Sequence, residues 1–206
     1  MIGNDIVDLR LAKTQSNWQR SGFLEKQFTK EEQVEIKQSE NAFLTVWLLW
    51  SMKEAAYKCV VQKQQKRFFN PKKFQCFLTG TKRGTVVFGT ERYQTKSSIS
   101  KDSIHTIATK ENRGEVTSEF FVVDKQSFQS NITNNKLLSF FGENVALLKN
   151  AVGVPYLYKN NTKLAVSFST SHHGSYGGFA ILHEDEFKKR TFQTLRKLRE
   201  STFTNC

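Results

Sequence analysis

The residues from 41 to 64 constrain the fold more than any other part of the sequence. This stretch contains no glycine or proline, and it carries the apolar run FLTVWLLW followed by SMKEAAYKCVVQ. A continuous segment of this length without helix breakers predicts a long helix. At about 3.6 residues per turn, Trp50, Glu54 and Lys58 lie on one stripe, each one turn beyond the last. An aromatic ring, a carboxylate and an ammonium group therefore share one face of this helix.

The first nine residues, MIGNDIVDL, favour a β-strand because their pattern fits a two-residue period. That period places Asp5 and Val7 on one face of the strand and Asp8 on the other. A shorter helix is predicted to begin near Thr29, because the sequence TKEE has the form of a capping box with Glu32 as its acidic member. Both segments carry carboxylates at positions that the local structure fixes.

The rest of the chain predicts a β-rich fold with two further helices. Short runs rich in β-branched and aromatic residues fill the range 74–124, separated by turns such as TKRG and ENRG, and they indicate an antiparallel meander. A short helix is predicted at 137–149, paired strands over 151–182, and a basic helix over 184–200. The expected fold class is α+β, with an antiparallel sheet packed against the long helix. We expect one domain, 1–206, in which the meander is an insertion.

The composition indicates a folded chain with an anionic partner. Hydrophobic residues make up 38% of the 206 residues and include 18 phenylalanines, which excludes a disordered chain. Lysine and arginine number 31 against 19 acidic residues, so the formal net charge is +12. Such a charge fits a nucleic acid, a phosphorylated small molecule or an acidic protein, and the charge does not choose among them.

Cysteine usage and the N-terminal residues predict a protein of the cytoplasm. The three cysteines, Cys59, Cys76 and Cys206, have no CxxC spacing and no cluster with histidines of the kind that binds zinc. The first ten residues lack the apolar segment of a signal peptide, and no stretch approaches 18 uncharged apolar residues. We therefore expect a soluble, cytoplasmic protein without a membrane partner.

Three separated segments occur in a characteristic order: GNDIV at the start, WSMKEAAYK on the long helix, and SHHGSYGGFA late in the chain. These residues and their order resemble the 4'-phosphopantetheinyl transferase superfamily, and especially its holo-acyl-carrier-protein synthase branch. The resemblance implies the fold of that superfamily, elaborated by the meander. It implies transfer of 4'-phosphopantetheine from coenzyme A to a serine of an acidic acyl or peptidyl carrier protein. The other product would be 3',5'-ADP, and no nucleic acid would take part.

The resemblance also implies the metal-binding and catalytic residues. Asp5 of GND and Glu54 of KEA match the two carboxylates that hold Mg²⁺ in the family, and magnesium prefers hard oxygen ligands of this kind. Lys58 matches the lysine that approaches a phosphate of coenzyme A, so Glu54 and Lys58 are catalytic candidates. The segment FTKEE resembles a family segment with an extra acidic residue, which implies Glu32 as a further metal ligand or as the general base.

Nucleotide binding is implied for residues near both ends of the chain. Ser171 and His172 match the family's serine-histidine pair, which contacts the nucleotide and its 3'-phosphate, although the neighbouring His173 leaves the register open. Arg10 is a further candidate for binding coenzyme A. Val7 stands where the broad-specificity branch often has a third carboxylate, and this departure favours the synthase-like branch. That branch forms trimers, so we expect a homotrimer or, given the longer chain, a monomer.

Simpler interpretations exist for each of these residues. Glu54 and Lys58 have the i to i+4 spacing of a common surface ion pair, and Glu32 is fully explained by helix capping. Two alternative functions also fit the sequence. One is a family member that binds coenzyme A or a carrier without turnover, and the other is a basic module that binds nucleic acid through aromatic and cationic strands.

Overall fold

The computed structural model describes residues 1–68, 70–110, 114–124 and 128–183, so the predicted basic helix over 184–200 lies outside the described residues. The helices are, in chain order, α1 Leu9–Gln15, α2 Phe23–Gln27, α3 Lys30–Gln38, α4 Ala42–Gln64 and α5 Gln129–Ser139. A short 3₁₀ helix at Pro71–Lys73 follows α4. The strands are β1 Ile2–Asp8, β2 Phe74–Gly80, β3 Arg83–Phe88, β4 Glu91–Ile99, β5 Ser103–Thr109, β6 Glu115–Val122, β7 Val145–Lys149, β8 Pro155–Lys159, β9 Thr162–Lys163, β10 Ser167–His173 and β11 Tyr176–His183.

The long helix α4 forms where the sequence predicts it. Its first turn is capped by Asn41, whose side-chain oxygen accepts a hydrogen bond from the Leu44 amide at 3.0 Å. The helix ends at Gln64, and the next residue, Gln65, has a left-handed φ of 53°. Within the described ranges, neither α4 nor any other helix combines the length and apolar character needed to span a membrane. Most of the buried residues of α4 are apolar and point in several directions, which is typical of a helix enclosed by other elements.

The largest sheet has five antiparallel strands in the order β1-β5-β4-β3-β2. Consecutive hairpins build β2 to β5, and β1 joins them along β5, with Asp5 opposite Thr106. The predicted meander is therefore confirmed for these four strands. The meander prediction is wrong for β6, which does not join this sheet but pairs with β11. Local sequence patterns do not reveal this pairing, because β11 lies far from β6 in the sequence.

Two smaller sheets complete the described part of the chain. With its helices and antiparallel sheets, the structure confirms the predicted α+β fold class. One sheet has the order β10-β11-β6, and the other has the order β7-β8-β9. Strand β1 lies at the junction, because it contacts α4, pairs with β5 and also packs against β10 and β11. Residues on β1 can therefore meet side chains from one helix and two sheets.

The position of one predicted helix is wrong. Only residues 137–139 of the range 137–149 are helical, because α5 covers Gln129–Ser139 and the later residues Val145–Lys149 form β7. The apolar run in this range fits either element over such a short distance, and pairing with β8 selects the strand. The paired strands predicted over 151–182 are confirmed by β8 to β11. The single-domain organisation and the meander as an insertion stay predictions.

Candidate active site

Gly3 brings β1 into close contact with α4. A Cβ atom built on Gly3 would overlap the carbonyl oxygen of Ala55, so only glycine permits this approach. Asp5 lies two residues further along the same strand face, and Glu54 precedes Ala55 on the helix. The close approach therefore brings two carboxylates from distant parts of the sequence to one cavity, which both of them line.

Asp5 is largely enclosed, with 14% of its side chain exposed. Its Oδ1 lies 3.8 Å from Nζ of Lys58, and it accepts a hydrogen bond from Oγ of Ser171 at 3.5 Å. Burial raises the pKa of Asp5, and the Lys58 ammonium opposes this shift. Predicted residues from β1, α4 and β10 thus meet at one carboxylate.

Glu54 interacts unfavourably with the charge of Asp5. Burial and, to a smaller extent, the negative charge of Asp5 raise the pKa of Glu54, the Lys58 ammonium opposes both effects, and the resulting pKa is about 7. The two carboxylates share a cavity of about 480 Å³. Its border includes Arg20 and aromatic or imidazole rings, namely Phe23, Trp47, Trp50, His172 and His173.

Lys58 is fixed by the backbone of two sheets. Its Nζ donates to the carbonyl oxygen of Asn4 at 2.7 Å and to that of Thr170 at 3.4 Å. The side chain keeps 29% of its surface exposed. An ammonium group held by neutral carbonyls keeps its charge available for an anionic ligand. Among the described residues Asp5 forms the ion pair with Lys58, and the charge of Lys58 also acts on Glu54.

Two further cavities meet the first at Glu54. One, of about 260 Å³, is basic and bordered by Lys58, Arg67 and Lys149. The other, of about 430 Å³, has an apolar wall made by Tyr57, Phe68, Pro71 and Phe74. Tyr57 and Arg67 border both of these cavities, as Glu54 does. A basic cavity and a largely apolar cavity therefore both border one carboxylate.

Arg67 forms the boundary between the basic and apolar cavities. Its Nε donates to the carbonyl oxygen of Val152, and its guanidinium packs against Gly153, which has a left-handed φ of 76°. Beside this contact, the side-chain amide Nδ2 of Asn150 donates a hydrogen bond to Oε1 of Gln65. The loop after α4 is thereby joined to the turn between β7 and β8, and sequence reasoning did not identify this contact.

The two consecutive histidines of β10 have different roles. His173 accepts a hydrogen bond at Nδ1 from the Asp8 amide at 2.9 Å, so it supports the end of β1. His172 pairs through Nδ1 with Oε1 of Gln129 at 2.9 Å. Burial lowers the pKa of His172, and the positive charges of Lys58 and Lys149 lower it further. Both histidines border the cavity of Asp5, so the structure brings predicted His172 to the carboxylate pair.

Glu32 does not border any of the three cavities that meet at Glu54. It forms a buried ion pair with Lys53, at 2.8 Å, in which each side chain is 2% exposed. Its carboxylate also accepts hydrogen bonds from the amides of Thr29 at 2.8 Å and Cys76 at 2.7 Å. The predicted capping box is confirmed, and these contacts occupy both carboxylate oxygens. Nothing in this position makes Glu32 available as a metal ligand or as a general base.

Arg10 also lies apart from the carboxylate pair. Its side chain is 63% exposed and its Nε is 3.9 Å from Asp102. It borders a separate cavity with Lys13 and Phe43. The structure therefore gives no contact between Arg10 and the cavities that meet at Glu54.

The residues present fit a hard divalent cation held by two carboxylates. In the described ranges, no group of three or more histidine, cysteine, aspartate or glutamate side chains is placed to hold a metal ion. Val7 is buried in the core, and Asp8 caps α1 through the amides of Arg10 and Leu11. Asp5 and Glu54 remain, and the pKa of Glu54 is raised first by burial and then by repulsion from Asp5, which a cation between the two carboxylates would relieve. Magnesium commonly uses one or two carboxylates, waters and substrate phosphates.

Sequence reasoning missed three residues that border the cavities at Glu54: Tyr57, Arg67 and Lys149. Tyr57 follows Glu54 by three residues, so the helical period could have placed it on the same face. Arg67 and Lys149 lie 82 positions apart in loop and strand segments without a motif. Their meeting depends on the packing of the sheet β7-β8-β9, which no local pattern reveals.

This α+β fold places two carboxylates and a fixed lysine beside a basic cavity. Such an arrangement defines a class of protein suited to phosphorylated ligands. A model of the 4'-phosphopantetheinyl transferase superfamily matches residues 1–113, which is more than half of the 206 residues. The chain belongs to this superfamily. The matched part contains Asp5, Glu54 and Lys58, and it ends before Ser171 and His172.

The comparison with solved structures found a holo-[acyl-carrier-protein] synthase from Thermotoga maritima, known from its crystal structure. The similarity has a TM-score of 0.42 with 10% sequence identity, and it covers 79% of this chain and 83% of that chain. A search of curated proteins found no match. The family assignment rests on the family model, because the structural similarity is low.

Proposed function

We propose that this protein transfers the 4'-phosphopantetheine group of coenzyme A to a serine of an apo acyl or peptidyl carrier protein, as a magnesium-dependent holo-acyl-carrier-protein synthase. The observation that carries the proposal is the meeting of Asp5, Glu54 and Lys58 at the junction of three cavities. Coenzyme A is the donor, and 3',5'-ADP is the second product. The family membership supports this class of reaction.

The two cavities beside Glu54 match the two ends of coenzyme A. The basic cavity offers Lys58, Arg67 and Lys149 to the phosphates, and cations of this kind bind phosphate oxygens strongly. The apolar cavity, lined by Tyr57 and Phe74, suits the uncharged pantetheine arm. In this arrangement the diphosphate lies at Glu54, between the two chambers.

Asp5 and Glu54 would hold the metal, and Mg²⁺ bound there would supply positive charge against the diphosphate. Lys58 would hold a phosphate oxygen, because the carbonyl oxygens of Asn4 and Thr170 fix its ammonium group. Ser171 keeps Asp5 in place through its hydrogen bond. Orientation by fixed groups lowers the barrier, since the reacting atoms meet without further loss of freedom.

The transfer forms one bond and breaks another at the same phosphorus. The serine oxygen of the carrier bonds to the phosphorus that bears the pantetheine arm, while the bond to the oxygen of 3',5'-ADP breaks. The serine proton leaves to a general base, for which a water molecule at the site is the candidate, because Asp5 and Glu54 would be engaged as metal ligands. Glu32 takes no part in this step.

The carrier approaches a strongly basic chain. Its net charge of +12 suits an acidic carrier protein, because opposite charges raise the rate of encounter. Arg20 and Trp50 border the cavity of Asp5 and are candidates for contact with the carrier. The cytoplasmic location and the oligomeric state, homotrimer or monomer, stay predictions from the sequence.

The test is the intact mass of several apo carrier proteins after incubation with this protein, coenzyme A and Mg²⁺. Transfer adds about 340 Da to a carrier, and it should require both carboxylates for metal-assisted chemistry at phosphorus. We expect no gain with Asp5→Asn or Glu54→Gln. Asp102→Asn, a partly exposed carboxylate on another cavity, is the matched control and should transfer normally.

Other outcomes would overturn the proposal in distinct ways. If no carrier gains mass while coenzyme A raises the melting temperature, the protein binds its ligand without turnover. If the mass gain persists in both carboxylate variants, transfer occurs without the proposed metal ligands.

A further inference from the structure

Asn4 is a fully buried polar residue inside the GND segment, at a position that the GxD pattern leaves open. It lies on the strand face opposite to Asp5, so it cannot share the role of that carboxylate. A buried amide side chain requires hydrogen-bond partners, and those partners show which elements it connects.

The hydrogen bonds of Asn4 join β1 to three other strands. Its backbone N–H donates to Oγ of Ser169 on β10 at 3.1 Å. Its side-chain nitrogen Nδ2 donates to the carbonyl oxygen of Gly178 on β11 at 3.3 Å. The same Nδ2 lies 3.3 Å from Nε2 of His105 on β5. Since Nδ2 can only donate, Nε2 accepts, and His105 is neutral with its proton on Nδ1.

Asn4 also touches the candidate active site through its backbone. Its carbonyl oxygen accepts the 2.7 Å hydrogen bond from Lys58, and its peptide bond leads directly to Asp5. Any shift of Asn4 toward or away from β11 would therefore move the acceptor of Lys58 and the backbone of Asp5 together. The position of both groups depends on the same side-chain amide.

Stability gives an incomplete reason for an asparagine here. Its Oδ1 is buried without a hydrogen-bond partner among the described residues, and an unpaired buried acceptor lowers stability. Phe120 stacks on His105 with ring centroids 5.4 Å apart and encloses this side of the network. The side chain of Asn4 therefore lies in an environment that lowers stability, because only its Nδ2 makes hydrogen bonds and its Oδ1 makes none among the described residues.

We infer that Asn4 is a positioning residue, whose side-chain amide fixes β1 against β5 and β11 and thereby sets the locations of Asp5 and Lys58. This inference rests on the proposed function, in which those two groups hold the metal and a phosphate. Asn4 itself touches neither ligand. Its effect should fall on turnover and on metal affinity, since a small displacement of fixed groups is costly to both.

The experiment compares Asn4→Ala with Thr95→Ala. Thr95 is the matched control because its buried Oγ1 donates to the carbonyl oxygen of Gly84 at 2.9 Å, within the sheet and away from the three cavities. We expect Asn4→Ala to lower kcat about tenfold or more, and Thr95→Ala to change it less than about twofold, at similar losses of melting temperature. Equal kcat values at matched stability would overturn the inference.

A second pair of variants keeps the test decisive if Asn4→Ala does not fold. His105→Gln retains an acceptor for Nδ2 of Asn4, whereas His105→Leu removes it. We expect the glutamine variant to keep most of the wild-type kcat and the leucine variant to lose it. If both variants behave alike, the contact between Asn4 and His105 has no positioning role.

Metal affinity separates this inference from the proposed function. Titration calorimetry with Mn²⁺ does not require transfer, and we expect weaker binding to Asn4→Ala than to Thr95→Ala. Unchanged Mn²⁺ affinity together with unchanged kcat would contradict the positioning role while leaving the proposed function intact. A wild-type protein that neither transfers nor binds Mn²⁺ would overturn the proposed function and this inference with it.

Discussion

Glu54 gains protons on folding, because burial and the charge of Asp5 raise its pKa from 4.5 to about 7. Between these two values the folded protein binds more protons at this site than the unfolded chain does. The contribution of Glu54 to stability is therefore fully present below the unfolded pKa and is lost as pH rises to about 7. Above that pH, two neighbouring carboxylates repel each other unless a cation lies between them.

Glu54→Gln should therefore stabilise the metal-free protein at high pH. The neutral amide avoids the cost of burying a carboxylate charge and removes the repulsion with Asp5. The gain should grow from pH 5 to pH 8, to at most about 3 kcal/mol. Urea unfolding at both pH values in the presence of a chelator measures this difference. A variant that is less stable than wild type at pH 8 would show that the Glu54 carboxylate makes a favourable contact instead.

Glu32→Gln should have the opposite effect. It removes one charge of a buried pair and leaves the ammonium group of Lys53 uncompensated, which costs about 3–5 kcal/mol. We expect kcat per folded molecule to change less than about twofold, because Glu32 borders none of the cavities at Glu54. Chemical denaturation and active-site titration measure the two quantities.

The double variant Glu32→Gln with Lys53→Met is the control for this prediction. Removing both charges should recover much of the lost stability, because the methionine places no charge in the core. A large fall in kcat for Glu32→Gln, at full occupancy of the folded state, would restore Glu32 as a candidate general base.

The sequence predicts the residues of the carboxylate pair but not the environment that sets their chemistry. Asp5, Glu54 and Lys58 follow from motif resemblance, and the capping role of Glu32 follows from local spacing. The ion pair of Glu32 with Lys53 could not be predicted, because it depends on how α3 packs on α4. Arg67 gave no signal for the same reason, since its contacts lie 85 residues away in the chain.

At the scale of elements, the contact between β1 and α4 determines the distance between the two carboxylates. Gly3 permits this contact, and an alanine there would overlap the backbone of Ala55. Gly3→Ala should lower stability by about 3 kcal/mol, near the upper end for an overpacked site. It should also lower kcat, because β1 must move away from the helix and carry Asp5 with it. Thermal unfolding and the carrier mass assay measure both effects.

Gly80→Ala provides the matched control for this prediction. A Cβ atom on Gly80 meets nothing within 4 Å, and Gly80 has no left-handed φ. Stability and kcat should stay close to wild type in this variant. If Gly3→Ala retains wild-type kcat, the separation of β1 and α4 does not control the carboxylate pair.

Local patterns predict elements well where the pattern is long. Helix α4 and strand β1 follow from the absence of helix breakers over 41–64 and from the two-residue period of the first segment. The helix predicted over 137–149 is wrong at Val145–Lys149, because a short apolar run fits a helix or a strand equally and pairing with β8 selects the strand. Strand β6 was assigned to the wrong sheet because its partner β11 follows about sixty residues later.

At the scale of the molecule, three sheets and one helix converge on a small region that carries the candidate active site. Strand β1 lies at this convergence, so its few residues contribute the Asp5 carboxylate and the Asn4 amide. The surrounding chain is strongly basic, at +12. A field of this sign would act on an acidic carrier protein before contact, and its effect would depend on salt.

Raising the NaCl concentration from about 50 to about 200 mM should therefore lower kcat/KM for the carrier several-fold with little change in kcat, because screening weakens the attraction that precedes binding. Arg20→Glu should raise KM for the carrier roughly three- to tenfold and reduce its salt dependence. Arg20 borders the cavity of Asp5, whereas Lys82 is exposed on the turn between β2 and β3. Lys82→Glu makes the same change in net charge, so equal effects of the two variants would assign the steering to overall charge and contradict a local role for Arg20.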